Sequence, residues 1–171
     1  MRRLLAAVAA VFFALALGGC SMTPQSRLDE YHAEADRLLG DTVALIPDDL
    51  APAPGFSESE PRFGPAEGSA AASDPAWWQA RESVNLAPQT DASADAAAAI
   101  AAGLESDGWR QSRVRETEGG DRIADGFRRE VDGDQWYIEV TWVRTRPEMA
   151  EVVEVLVVSP QTVRGSAATA P

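Results

Sequence analysis

Residues 122–144 read RIADGFRREV-DG-DQWYIEVTWVR, two alternating runs joined at Asp132-Gly133. Asp-Gly between alternating apolar segments is a strong short-range hairpin signal, because a two-residue type I′ turn needs positive φ at both central positions. With these two residues as the loop, Phe127 faces Ile138 and Ile123 faces Trp142. Arg129 falls beside Trp136, where a guanidinium can stack on the indole. On the opposite face Arg128 meets Tyr137, with Glu139 diagonal to it. Both faces are chemically coherent, as cross-strand pairing demands. Asp125 opposite Val140 fits less well and marks a bulge or an edge. Trp142 is expected to point inward with Ile123, Ile138 and Val140.

Working outward, WRQSRVRET at 109–117 alternates weakly, and EVVEVLVVS at 151–159 has the Val density of a covered interior strand. A meander of 109–117, 121–131, 134–144 and 150–159 is the simplest order. WWQARESVNL at 77–86 alternates as an earlier strand. Trp77 and Trp78 are adjacent, so on a strand they point to opposite faces and cannot form one ligand platform. Two helices precede the meander. In 26–46, Leu28, Tyr31, Ala35, Leu38, Leu39, Thr42, Leu45 and Ile46 recur at three- and four-residue steps, Ser26 offers an N-cap, and Pro47 stops the run. In 91–107, Thr90 is the expected N-cap, Ile100 and Leu104 share a face among alanines, and Gly108 suits the C-terminus. The expected fold is α+β: an antiparallel sheet of four to five strands with both helices on one face.

Between the first helix and the sheet, eighteen of the twenty-five residues in 51–75 are Ala, Pro, Gly or Ser, with no apolar period. That composition predicts a flexible linker or long loop over 47–75. Phe56 and Phe63 are the two aromatics in it that can dock. The expected organisation is a leader 1–19, a tether 20–25, an amphipathic helix 26–46, the linker 47–75, an α+β domain 76–164 and a disordered tail 165–171.

The leader joins Arg2-Arg3 to fourteen unbroken apolar residues, Leu4 to Leu17, and closes on Leu17-Gly18-Gly19-Cys20. Fourteen residues suit a signal-peptide core and are short for a membrane span. The ending resembles the lipobox of bacterial lipoproteins. That resemblance implies cleavage before Cys20, a diacylglyceryl group on its thiol, and a cell-membrane location on the extracytoplasmic face. Cys20 is the only cysteine, so a lipidated chain keeps no thiol for a disulfide, zinc site or nucleophile. Gly108-Trp109 and Ser159-Pro160, with the leader and first helix, are similar to small actinobacterial envelope lipoproteins to which no activity is assigned. Without the leader the chain holds thirteen basic residues, all Arg, against twenty-seven acidic ones, or −14. Such a balance argues against nucleic acid and against electrostatic adhesion to anionic lipid. The expected partners are the membrane, through lipid at Cys20, and an envelope protein.

Catalytic signals are thin, and no catalytic, cofactor-binding or metal-binding residue is assigned. His32 is the only histidine, and on a helix it reads as solvated or capping. A Ser-His-Asp triad would have to use it. Gly55-Phe56-Ser57-Glu58-Ser59 lacks the last glycine of a nucleophile elbow. Asp132-Gly133-Asp134 lacks the spaced oxygen ligands of a calcium loop, and a hairpin turn explains it better. Asp48-Asp49 and the acids at 116, 118 and 121 offer at most loose calcium contacts. The expected function is a non-catalytic protein that binds or positions an envelope partner. The rival is a small enzyme or ligand-binding protein using carboxylates in a sheet–helix crevice.

Overall fold

The computed structural model describes residues 25–64, 70–116, 122–143 and 151–165. The expected leader 1–19, Cys20, the expected tether as far as residue 24, and the expected tail beyond Gly165 lie outside them. Strands β4 (Arg122–Val131) and β5 (Asp134–Val143) form the expected hairpin. Asp132 (φ 53°) and Gly133 (φ 86°) supply the two positive φ angles of a type I′ turn. Pairing runs unshifted from Val131–Asp134 to Arg122–Val143, so Phe127 meets Ile138, Arg128 meets Tyr137 and Asp125 meets Val140. The irregularity expected at Asp125 lies one strand over: β3 (Arg110–Glu116) bulges against β4 between Gln111 and Arg113. Arg129 also departs from expectation. It stacks on Trp109 at 4.7 Å and donates to the Asp107 carbonyl at 2.8 Å. Trp136 is already engaged edge-on by Tyr31, with ring centroids 5.6 Å apart.

Beyond β5 the sheet continues through β6 (Val152–Val158) to β2 (Pro75–Asn85) and ends at β1 (Ala53–Phe63), in the order β1-β2-β6-β5-β4-β3. A short β7 (Thr162–Val163) pairs with the start of β2. All pairings are antiparallel. The described sheet thus has seven strands where four to five were expected. Pro160 interrupts the run from β6 to β7, and the break is repaired locally: Ser159 Oγ accepts the Trp78 N–H at 2.7 Å while its own N–H bonds the Trp78 carbonyl at 3.0 Å.

The expected linker is the main correction. Residues 47–75 contain a 3-10 turn, Asp48–Leu50, and all eleven residues of β1. β1 is an edge strand with largely exposed side chains, so it needs no apolar alternation. Its Pro54 and Pro61 are tolerated because an edge strand leaves one row of amides unpaired. Gly55 is required where β1 crosses β2, since a Cβ there would lie 2.6 Å from the Ser83 carbonyl oxygen. Leu50 is buried in the same core as the first helix and the sheet, so the described elements from α1 to the strand ending at Val158 share one apolar interior.

Helices α1 (Leu28–Val43) and α2 (Ala92–Ser106) lie on one face of the sheet, as expected. They cover Trp78, Ala80 and Val84 of β2, Val153, Val155 and Val157 of β6, Trp136, Ile138 and Val140 of β5, and Phe127 of β4. Trp142 packs against this core only half-buried. Ser26 contributes to the start of α1, its hydroxyl accepting the Leu28 N–H at 3.3 Å. Thr90 does not cap α2: Asp91 occupies the N-cap position with φ 66°, and no side chain at that position bonds the helix. Gly108, at φ 86°, follows its end as expected. Gly165, placed in the expected tail, is buried and bonds the Ala72 carbonyl.

Candidate functional site

The face of the sheet opposite the helices has no element of the described chain packed on it, and its charge is divided unevenly. At the β1–β2 end every cation has a carboxylate. Arg62 meets Glu60 at 2.5 Å and Glu58 at 3.5 Å, and Arg81 meets Glu58 at 2.8 Å. Arg81 also covers Phe56 at 5.1 Å.

At the β3–β4 end cations predominate. The pairs Arg110–Arg128, Arg113–Gly126 and Arg115–Ala124 put three β3 arginines on the face that carries Arg128. Alternation alone would send Arg110 and Arg113 to opposite faces, because their separation is odd. The bulge between Gln111 and Arg113 inserts the extra residue that brings them together. Ser112, inside the bulge, donates its hydroxyl to the Gly126 carbonyl at 3.2 Å. The floor is Tyr137, whose ring lies across Gly126, where an added Cβ would strike the phenol. Arg128 sits 5.3 Å above the Tyr137 ring and donates to Gln135 at 3.1 Å. The phenol donates to Glu139 at 2.7 Å, and Glu139 pairs with Arg115 at 2.5 Å. Burial, the hydrogen bond to Glu139 and that carboxylate's charge push the Tyr137 hydroxyl up to about 12.

Two shallow depressions of about 470 and 450 Å³ open here, sharing Ser112 and Arg128. The first reaches Arg113, Arg115, Tyr137, Glu139 and Leu156, and the second reaches Arg110, Arg129 and Glu130. Among the described residues, Arg110 and Arg113 form no ion pair.

Residues weighed for chemistry in the sequence fall elsewhere. His32 stacks on Trp78 at 4.2 Å, and its Nε2 lies 3.0 Å from Asp36. Ser59, on β1, donates to the other oxygen of Asp36 at 2.6 Å and accepts the Trp78 indole N–H at 2.8 Å. Serine, aspartate and histidine therefore meet, but aspartate stands between the other two, so the imidazole cannot take the serine proton directly. Asp134 pairs with Arg27 of the α1 entry at 2.7 Å, which occupies the acid of the Asp132-Gly133-Asp134 turn. Asp48 and Asp49 lie in the 3-10 turn. Among the described residues no three acidic or histidine side chains are placed to hold a metal ion. Trp78 is buried under α1 while Trp77 is half-buried on the other face, as alternation requires. Cys20 lies outside the described residues.

The arginine group went unrecognised in the sequence because Arg-x-x-Arg-x-Arg reads as a weakly alternating strand unless the bulge is known. The available signal was the density of arginine in 110–129, six of the chain's fifteen, in an otherwise acidic sequence. No known family model matches the chain, and comparisons with curated proteins and with solved structures likewise find no match.

Proposed function

We propose that this chain is a lipid-anchored, extracytoplasmic cell-envelope protein that is non-catalytic and binds or positions an envelope partner through its open sheet face. The observation that carries the anchor is Leu17-Gly18-Gly19-Cys20 at the end of a basic-then-apolar leader. Two or more acyl chains on one cysteine make attachment stable, whereas one gives only marginal binding. The binding role is supported by a sheet whose helices both lie on one side, leaving the other free for a partner. Against the rival carboxylate enzyme stands the use made of one buried acid beside α2. Glu151, 8% exposed, is engaged in hydrogen bonds to Ser93 at the start of α2.

Mass spectrometry and detergent partitioning test the anchor. Wild type should lose residues 1–19, gain the mass of a lipid at Cys20 and enter the detergent phase. Cys20→Ala should remain unprocessed or partition as a soluble protein. Wild type recovered from the medium with a free thiol would refute the anchor.

A further inference from the structure

We propose that the β3–β4 end of the open face is a binding site for a phosphate group, held by Arg110, Arg113 and Arg128. The proposal names a ligand class for the binding face proposed above and does not depend on the anchor. Three observations carry it. Arg110 and Arg128 are direct cross-strand partners, and like charges in that position repel. The bulge at Ser112 adds Arg113 to the same face, and bulges commonly re-aim side chains next to functional sites. Neither Arg110 nor Arg113 has an ion-pair partner among the described residues, although acids outnumber bases by twelve in the chain.

The stoichiometry of charge selects the ligand. Glu139 answers Arg115, and Glu130 stands at the rim of the second depression. A further carboxylate, with one charge and two oxygens, would satisfy a single guanidinium fork. Arg128 lines both depressions, with Arg113 in the first and Arg110 in the second. Three forks thus border one stretch of the face and match an anion with more charge and at least three acceptor oxygens, such as a phosphate. Leu156 and the Tyr137 ring floor the adjoining depression, where the uncharged part of a phosphoester can rest.

Arginine on an edge strand also deters edge-to-edge pairing, a task that lysine performs equally well. The two roles are separable. The full-length protein in neutral detergent is titrated with inorganic phosphate and with pyrophosphate, followed by calorimetry and by amide chemical shifts. Saturable binding with shifts at 110–115 and 126–128 is expected. Arg113→Ala/Arg128→Ala should weaken it at least tenfold, and Arg113→Lys/Arg128→Lys should restore only part of the loss. Circular dichroism and thermal midpoints check that the variants fold, and Arg113→Gln/Arg128→Gln replaces the alanine pair if that pair does not.

A second arm compares the same proteins on phosphatidylcholine vesicles with and without phosphatidylglycerol. If the double variant loses both phosphate affinity and the preference for phosphatidylglycerol, the phosphate is a lipid headgroup. If it loses only phosphate affinity, the ligand is a soluble phosphoester. No saturable binding in wild type, binding unchanged in the double variant, or full recovery with lysine would each overturn the proposal. A wild type that still partitions into detergent without binding phosphate would sink the site and leave the anchor standing.

Discussion

The Glu151 carboxylate accepts two hydrogen bonds from Ser93, one from its backbone N–H at 2.8 Å and one from its hydroxyl at 2.6 Å. Ser93 lies in the first turn of α2, and Glu151 immediately precedes β6. A residue distant in sequence thus supplies the acceptor that no side chain at the N-cap position supplies. It satisfies an orphan amide and faces the positive end of the helix dipole. Glu151→Ala should cost about 1.5–3 kcal/mol, the range for a hydrogen bond to a charged group. Glu151→Gln should cost less, since an acceptor remains. Urea denaturation measures both, and faster amide exchange confined to the first turn of α2 would locate the loss.

Ser59 links Trp78 to Asp36, and with them β1 and β2 to α1. Ser59→Ala leaves the largely buried indole N–H without its acceptor, at a cost of about 1–3 kcal/mol. His32→Ala removes the ring stacked on Trp78, worth roughly 0.5–1.5 kcal/mol. Because both side chains touch Trp78, the two losses should not add. A double-mutant cycle gives the coupling, and strict additivity would mean the contacts are independent.

Trp136 and Trp142 lie on one strand and one face, but only Trp136 is sealed, at 2% exposure against Tyr31. Trp136→Ala should cost about 3–5 kcal/mol. Trp142→Ala, at the half-buried margin, should fall at roughly 1–3 kcal/mol. Equal losses by chemical denaturation would contradict this ranking.

Tyr137 sets a high-pH limit on stability. Burial first, then Glu139, raises its hydroxyl from 10 to about 12 in the folded protein. Between those values the folded form retains a proton that the unfolded form releases. Its contribution is therefore complete below about pH 10 and is lost as pH rises toward 12. Tyr137→Phe should flatten that part of the stability profile. Glu139→Gln should bring the phenol's ultraviolet titration back toward the ordinary range.

Deleting 52–63 should abolish cooperative unfolding. It removes β1 and uncovers the edge of β2, which holds Trp78, Ala80 and Val84 in the core. Hydrogen exchange should show protected β1 amides wherever they donate to β2. A deletion variant with an unchanged melting temperature would return this stretch to the status of a linker.

The legible parts of the fold were those written in local patterns. Asp132-Gly133 fixes both turn and register, and the apolar steps from Leu28 to Thr42 fix a helix and its buried side, although the helix ends at Val43, short of the expected Ile46. β1 was not legible, because an edge strand with prolines and serines has the composition of a loop and gains its amide partners only from β2. The cap of α2 was hidden for a related reason: no local rule links Ser93 to Glu151. The arginine site depended on a bulge that the spacing of Arg110, Arg113 and Arg115 does not announce. Arg128 beside Tyr137 was readable, since the hairpin register alone places them together.

The seam between β2 and β6 has a kinetic consequence. It pairs Val84 with Val153 and Gln79 with Val158, so the first hairpin reaches its central neighbour only after the whole meander has been made. Contacts this distant along the chain carry a loop-closure penalty before they repay it, and sheets built on them fold on the millisecond-to-second scale. A chain synthesised from its N-terminus leaves the inner hydrogen-bonding edge of β2, from Gln79 to Asn85, unpaired until the last long strand emerges. Folding is therefore confined to the completed polypeptide, and that waiting interval is when the chain is most exposed to aggregation and most dependent on being held apart from its neighbours.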